Sequence, residues 1–329
     1  MSRKMETPSD GELHRCARFG LVCQLKRILD SGKVHVDCVN SDGISPLMWA
    51  SGGGHLAAVQ ILLDEGARVN LRKPDGATAL IFASQSGHRD IAELLINKGT
   101  DVNARTSEGG SALLAASQNG HIAVVRHLLK CGADARNELK DGASAMFLAA
   151  QNGHVQVVEA LAEAGCDIGR KRTDGISPFW MACQMGHGSV IEELHRRKQR
   201  DSARPDGATG LFKASHKGSA DVVRALMKNG YDRTLLGILK NGESALHAAA
   251  LFGHPHIVDE LLKAGADAKL KNQHNDTPAA LADQMNYPAI VNTLRTAKWC
   301  ICITSVDFDR SLIKMKTQVT THDTNNSHF

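Results

Sequence analysis

The dipeptide Gly-His recurs at 54–55, 87–88, 120–121, 153–154 and 186–187, thirty-three residues apart each time, and returns at 253–254. In between, Gly218 is followed by Ser219 instead. A hydroxyl residue keeps the same beat at Ser45, Thr78, Ser111, Ser144, Ser177, Thr209, Ser244 and Thr277, with late steps of 32, 35 and 33. Glycine marks a third beat at 32, 66, 99, 132, 165, 230 and 265. A fixed period of this length restricts the chain to an array of like units, so it decides the fold before any other feature.

Each beat has a mechanical meaning. The hydroxyl residue caps a first helix by accepting a bond from a free backbone N–H. Pro46, Pro178 and Pro278 follow such residues, at the first helical position, where the missing N–H costs nothing. The Gly of Gly-His breaks the chain between two helices. Apolar residues then recur at helical spacing, as in Val124, Val125, Leu128 and Leu129. Gly132 and its equivalents sit where a helix ends in a left-handed residue. Asp-Gly at 42–43, 75–76, 141–142, 174–175 and 206–207 marks a tight turn before the next cap. Each unit therefore reads helix, turn, helix, β-turn. Helices of three turns or fewer are marginal alone, so the units must stack on one another into an all-α solenoid.

The pattern D-G-x-[ST]-x-L-x-x-A-[AS]-x-x-G-H-x-x-[VI]-V-x-x-L-L-x-x-G-A-D resembles the ankyrin repeat over about residues 9–298. The stretch GILKNGESALHAAA at 237–250, and the chain as a whole, look similar to one particular member of that family. The resemblance implies stacked antiparallel helix pairs with β-hairpin fingers, and a concave surface of fingers and first helices that binds other proteins. It also implies that the Gly-His imidazoles bond backbone groups of adjoining loops. Asn70 and Asn103 occupy the finger position that asparaginyl hydroxylases modify in the family. We place an N-terminal capping repeat at about 9–41 after a flexible 1–8, full repeats at 42–274, and a closing unit at 275–298. The tail 299–329, with WCICI at its start, is expected to be disordered.

Departures from the pattern carry expectations of their own. The family's T-P-L-H is approached only by Ser244-Ala245-Leu246-His247; Met48, Ile81, Leu114, Phe147, Trp180 and Phe212 take the His place elsewhere. Apolar packing should replace the imidazole bonds there. HRRKQRD at 195–201 lacks the helix-ending Gly and GYDRTLLGILK at 230–240 carries extra residues, so the stack should be least regular at about 196–240.

Several lures for chemistry dissolve in the repeat. His121, His127 and Cys131 lie within eleven residues, but His55, His88, His121, His154, His187 and His254 share one structural role. His127 and Cys131 fall short of the four ligands of structural zinc. Gly52-Gly53-Gly54 lacks the Gly-Lys-Ser/Thr ending of a phosphate loop. Cys300 and Cys302 are too sparse to hold a metal, and no catalytic set stands out. No catalysis, cofactor or metal is expected.

A net charge of +4, with 22% charged and 42% hydrophobic residues, gives no general attraction to nucleic acid or membrane. Eight cysteines without a C-x-x-C pair read as reduced thiols, and MSRKMETPSD is no secretory signal, so a cytoplasmic or nuclear monomer is expected. The basic runs at 170–172 and 195–200 carry the alternative of a nuclear regulator that uses them for import or for acidic partners.

Partner-binding residues should lie at the ends of the first helices, in the two positions before Gly-His. These read Gln85-Ser86, Gln118-Asn119, Gln151-Asn152, Gln184-Met185, His216-Lys217 and Leu251-Phe252. Four glutamines thus form a polar ladder that turns basic and then apolar, suited to an extended peptide of a protein partner. Finger residues Ile44, Lys140, Ile176 and Glu243 are further candidates.

Overall fold

The structure is a computed structural model that describes residues 7–200, 204, 207–228 and 241–297. The inserted stretch 230–240, the tail 299–329, Gly230, Cys300 and Cys302 lie outside the described residues.

Eighteen helices are arranged as nine pairs among the described residues. The first helices are α1 (Pro8–Phe19), α3 (Pro46–Gly52), α5 (Ala79–Ser86), α7 (Ala112–Gln118), α9 (Ala145–Gln151), α11 (Pro178–Met185), α13 (Gly210–Lys217), α15 (Ala245–Leu251) and α17 (Pro278–Gln284). The second helices are α2 (Val22–Asp30), α4 (Leu56–Asp64), α6 (Arg89–Asn97), α8 (Ile122–Lys130), α10 (Val155–Glu163), α12 (Gly188–Arg196), α14 (Ala220–Lys228), α16 (Pro255–Lys263) and α18 (Pro288–Thr296). First helices pack on neighbouring first helices and second on second, from α1 to α18. Helix contacts continue through α11, α13 and α15. Of the region expected to be least regular, residues 201–203, 205–206 and 229–240 lie outside the described residues, and the described helices on either side keep to their rows.

Every predicted hydroxyl cap forms, with Ser45, Thr78, Ser111, Ser144, Ser177, Thr209, Ser244 and Thr277 each accepting from the backbone N–H three residues on. The chain's first helix starts at Pro8, capped by Thr7 in a reciprocal box with Asp10. Small residues then settle the packing. Ala50, Ala83, Ala116, Ala149, Ala182, Ala214, Ala249 and Ala282 stand on one beat and are fully buried. An alanine at this point lets a first helix be flanked closely on both sides by its neighbours. Second helices bury a single stripe, such as Val157, Val158 and Leu161, and leave the other face to solvent.

The fingers are tighter than hairpins. Each closes on a β-turn, as where Leu139 N donates to Ala143 O and Gly142 N to Leu139 O. Among the described residues the only strand-like pairing is the isolated bridge Glu138–Ser144. The arms are too short to continue a ladder. Successive fingertips are joined instead by single bonds, Ser107 N to Asp75 O, Lys140 N to Glu108 O and Thr173 N to Asp141 O.

Where HRRKQRD lacks its glycine, Lys198 adopts the left-handed conformation itself, at φ +64°. Its N–H reaches His195 O and Gln199 N reaches Leu194 O, so the turn keeps its form. A left-handed conformation costs an ordinary L-residue about 1–2 kcal/mol, partly offset by the greater chain entropy of glycine. Lys198→Gly is therefore expected to stabilise the protein by about 0.5–1 kcal/mol, read as a higher urea midpoint.

Candidate functional site

Two recurring clamps tie successive repeats together. The first is the imidazole of Gly-His. Nε2 of His55, His88, His121, His154, His187 and His254 lies 2.9–3.3 Å from the carbonyl of Arg18, Gly52, Gln85, Gln118, Gln151 and His216 respectively. The ring rests on the glycine of the preceding turn; a Cβ on Gly120 would stand 2.5 Å from His154 Nδ1. Each of these imidazoles thus joins two successive inter-helix turns. Among the described residues the His127 and Cys131 side chains pair only with each other, 3.6 Å apart. Among the described residues no group of three or more His, Cys, Asp or Glu could hold a metal.

The second clamp is an Asx side chain in the finger. Asn70 donates to Gly99 O at 3.0 Å and accepts from Asp101 N at 2.9 Å. Asn103 repeats this with Gly132 and Asp134, and Asp37 accepts from Arg68. At the next beat stands Arg136, and there a cleft of about 500 Å³ opens, its lining including Arg136, Ser144, Met146, Cys166 and Arg170. Burial pushes the Cys166 thiol up to about 11, so it is no ready nucleophile.

The layer that lacks the family histidine is only partly apolar. Met48, Leu114 and Phe147 are buried there as expected. Trp180 departs from the expectation, because its indole N–H donates to Ala208 O at 3.3 Å. His247 makes the matching bond to Asp276 O at 3.2 Å and completes a capping box with Ser244. An indole spans the same gap as an imidazole and carries a donor, a substitution that apolarity scales do not reveal.

The ladder residues sit at or near the C-terminal ends of their first helices. Gln85 and Gln118 are exposed and Gln151 and Gln184 half-buried. Asn119 and Asn152 are already engaged, each donating its side-chain amide to a carbonyl four residues back. Met185 and Phe252 are about half exposed. The His216 ring lies 4.1 Å from that of Phe252, centroid to centroid. Burial, then Lys213 and Lys217, lower its pKa. Lys217 is exposed and Leu251 half-buried.

Two finger candidates need correcting. Ile44 and Ile176 are 8% and 7% exposed, because their side chains turn inward to the core cluster and not toward a partner. Lys140 is paired with Glu108 at 3.1 Å. Sequence reasoning missed Trp49 and Phe82. They are half-buried, three residues before the ladder position and so on its helical face. The Arg18 guanidinium lies 4.7 Å from the Trp49 ring centroid. A large aromatic where the other units have Ala115, Leu148 or Met181 was the available signal.

Four arginines of the two basic runs are paired with acids. Arg170 bonds Glu138, and Arg172 bonds Asp174 and Asp141. Arg197 Nε and Arg196 Nε donate to the buried Glu193 carboxylate at 2.6 and 2.9 Å, and both reach on to the preceding repeat at Glu163 and Glu159. Burial alone would raise the Glu193 pKa, but these guanidinium bonds outweigh it and hold the carboxyl below 4.5. A depressed folded pKa stabilises above the unfolded value, and that contribution is lost as pH falls through the folded one. Glu193→Gln is expected to cost about 2 kcal/mol at pH 7 and to flatten the decline in stability below pH 4.5, both read from urea titrations at pH 7 and pH 4.

With this geometry in place, the chain belongs to the ankyrin repeat family: the description "Ankyrin repeats (3 copies)" matches residues 13–106, 100–172 and 233–302, together more than half its length. Ankyrin repeats are general protein–protein interaction modules. Among known proteins, it is similar to the human ankyrin repeat domain-containing protein 29 (Homo sapiens), 48% identical over 73 residues, 22% of this chain and 24% of that one. The Danio rerio protein of the same name is 46% identical over the same shares. The likeness expected for the whole chain thus holds over 73 residues, and the match spans about a quarter of those relatives. A Dirofilaria immitis protein named L-asparaginase is 33% identical over 95 residues, 29% of this chain and 16% of that one. No helix among the described residues is long and apolar enough to cross a membrane.

Proposed function

We propose that the protein is a non-catalytic scaffold or adaptor that holds an extended segment of a partner along Gln85, Gln118, Gln151 and Gln184. One observation carries this reading. Among the described residues the four glutamine amides make no hydrogen bond, whereas Asn119 and Asn152 beside two of them are bonded locally. Packed helices stand about 8–10 Å apart, and a polyproline-II segment advances about 9 Å every three residues. One amide can therefore meet one peptide group per three residues of partner. Trp49 and Phe82 supply apolar anchors at one end, and the His216–Phe252 pair with Met185 at the other.

The partner is to be found by proximity labelling and pull-down with the full chain. Replacing the four glutamines by alanine is then expected to weaken its binding about tenfold to a hundredfold, four neutral bonds being worth about 0.5–1.5 kcal/mol each less partial rehydration. Unchanged affinity, measured by fluorescence anisotropy, would dispose of the ladder.

A further inference from the structure

Six histidines show what the junction between successive inter-helix turns accommodates: a ring whose N–H meets a carbonyl while its edge lies on a glycine. Tyr287 lays its phenol ring on Gly253 in the same manner. At Ser219 the series is interrupted. Here the atom nearest to a Cβ on Gly186 would be Ser219 Oγ, at 3.4 Å, and no ring covers the turn. The Gln184 carbonyl, equivalent to the Gln151 and His216 carbonyls that receive imidazoles, receives no hydrogen bond among the described residues. The same unit has Gly188 where others carry Leu56, Arg89, Ile122, Val155 or Pro255. At Gly188 the α14 backbone closes in, Asp221 O standing 3.1 Å from where a Cβ would be, whereas Gly186 is left open beside a cleft of about 460 Å³ between α12 and α14 whose lining includes Gly186, His187 and Gly188. Glu192, Asp221, Arg224 and Lys228 line its rim, ion-paired as Glu192–Lys228 and Asp221–Arg224.

We propose that this cleft binds an imidazole ring, a histidine side chain presented by a partner polypeptide. The ring N–H donates to the Gln184 carbonyl and the ring lies on Gly186, as six built-in rings do elsewhere in the molecule. Glu192 and Asp221 offer acceptors to the second ring nitrogen when it carries a proton. The cleft exceeds the volume of the ring itself, which leaves space for the backbone that carries it. The inference uses the main-chain carbonyl of Gln184 and not its side-chain amide, so it does not depend on the glutamine ladder.

The test uses the full chain and two probes, free imidazole and a capped Gly-His-Gly peptide, followed by ¹H–¹⁵N NMR. Saturable shifts confined to Gly186, Gly188, Ser219 and Ala225 are expected. The peptide should bind about tenfold more tightly than the free ring, because its backbone adds contacts. Ser219→His should raise the melting temperature and abolish both responses, since its own ring takes the place. Shifts spread over all the Gly-His turns, unchanged titrations in Ser219→His, or a variant that melts lower or fails to fold would each overturn the proposal. Equal affinity for the two probes would overturn the polypeptide source.

Discussion

Gly120→Ala is expected to destabilise the protein by about 2–3 kcal/mol, and Gly186→Ala by about 1 kcal/mol or less, although both glycines are left-handed. Their φ values are +76° and +87°, so the backbone penalty is shared. The difference lies in the next repeat. A Cβ on Gly120 would stand 2.5 Å from His154 Nδ1 and 2.6 Å from Cε1, so the ring must leave and its bond to Gln118 O is lost. On Gly186 the new carbon would meet only Ser219 Oγ, at an ordinary 3.4 Å. Urea denaturation of the two variants side by side measures the gap. Equal costs would mean that the inter-repeat imidazole contributes nothing to the stack.

Phe147→Ala is expected to have the largest single effect, about 3–5 kcal/mol for truncating a wholly buried aromatic. Phe147 lies in α9, which packs against both α7 and α11, and the Arg172 guanidinium faces its ring at 5.3 Å. In a one-dimensional array the stability is a sum of unit and nearest-neighbour terms. A cavity here weakens two interfaces at once and should divide the molecule into two cooperative blocks. Trp49 and Trp180 lie on opposite sides of the lesion, so variants retaining one tryptophan each report the blocks separately. Non-coincident unfolding curves are the expected result. A single shared midpoint, shifted by less than about 1 kcal/mol, would contradict close packing of that layer.

Much of the fold was legible because repetition multiplies weak signals. A lone Ser before a Leu says little, yet eight hydroxyl residues on one beat specified eight helix starts, and each caps as read. The candidate site was less legible, because burial depends on which way a short finger turns. Ile44 and Ile176 looked like fingertip residues and instead point into the core, whereas Trp49 passed unnoticed in a position usually filled by smaller side chains. The basic runs were visible as charge, but the pairing of Arg170, Arg196 and Arg197 with Glu138, Glu159 and Glu163 comes from the preceding repeat, about thirty residues away in sequence.

By itself, the amino-acid order determined the period, the helix pairs, their caps and the need to stack, because each of these follows from residues within one unit. Tertiary structure alone decided what happens between units. It made Gly120 a seat for His154, let Trp180 serve in place of an imidazole, drew Lys198 into a glycine's conformation, and opened clefts beside Arg136 and Ser219 where a clamp is interrupted. The physical reason is that a clamp joins partners a whole period apart. Its success depends on distance and direction across the stack, which no local pattern encodes.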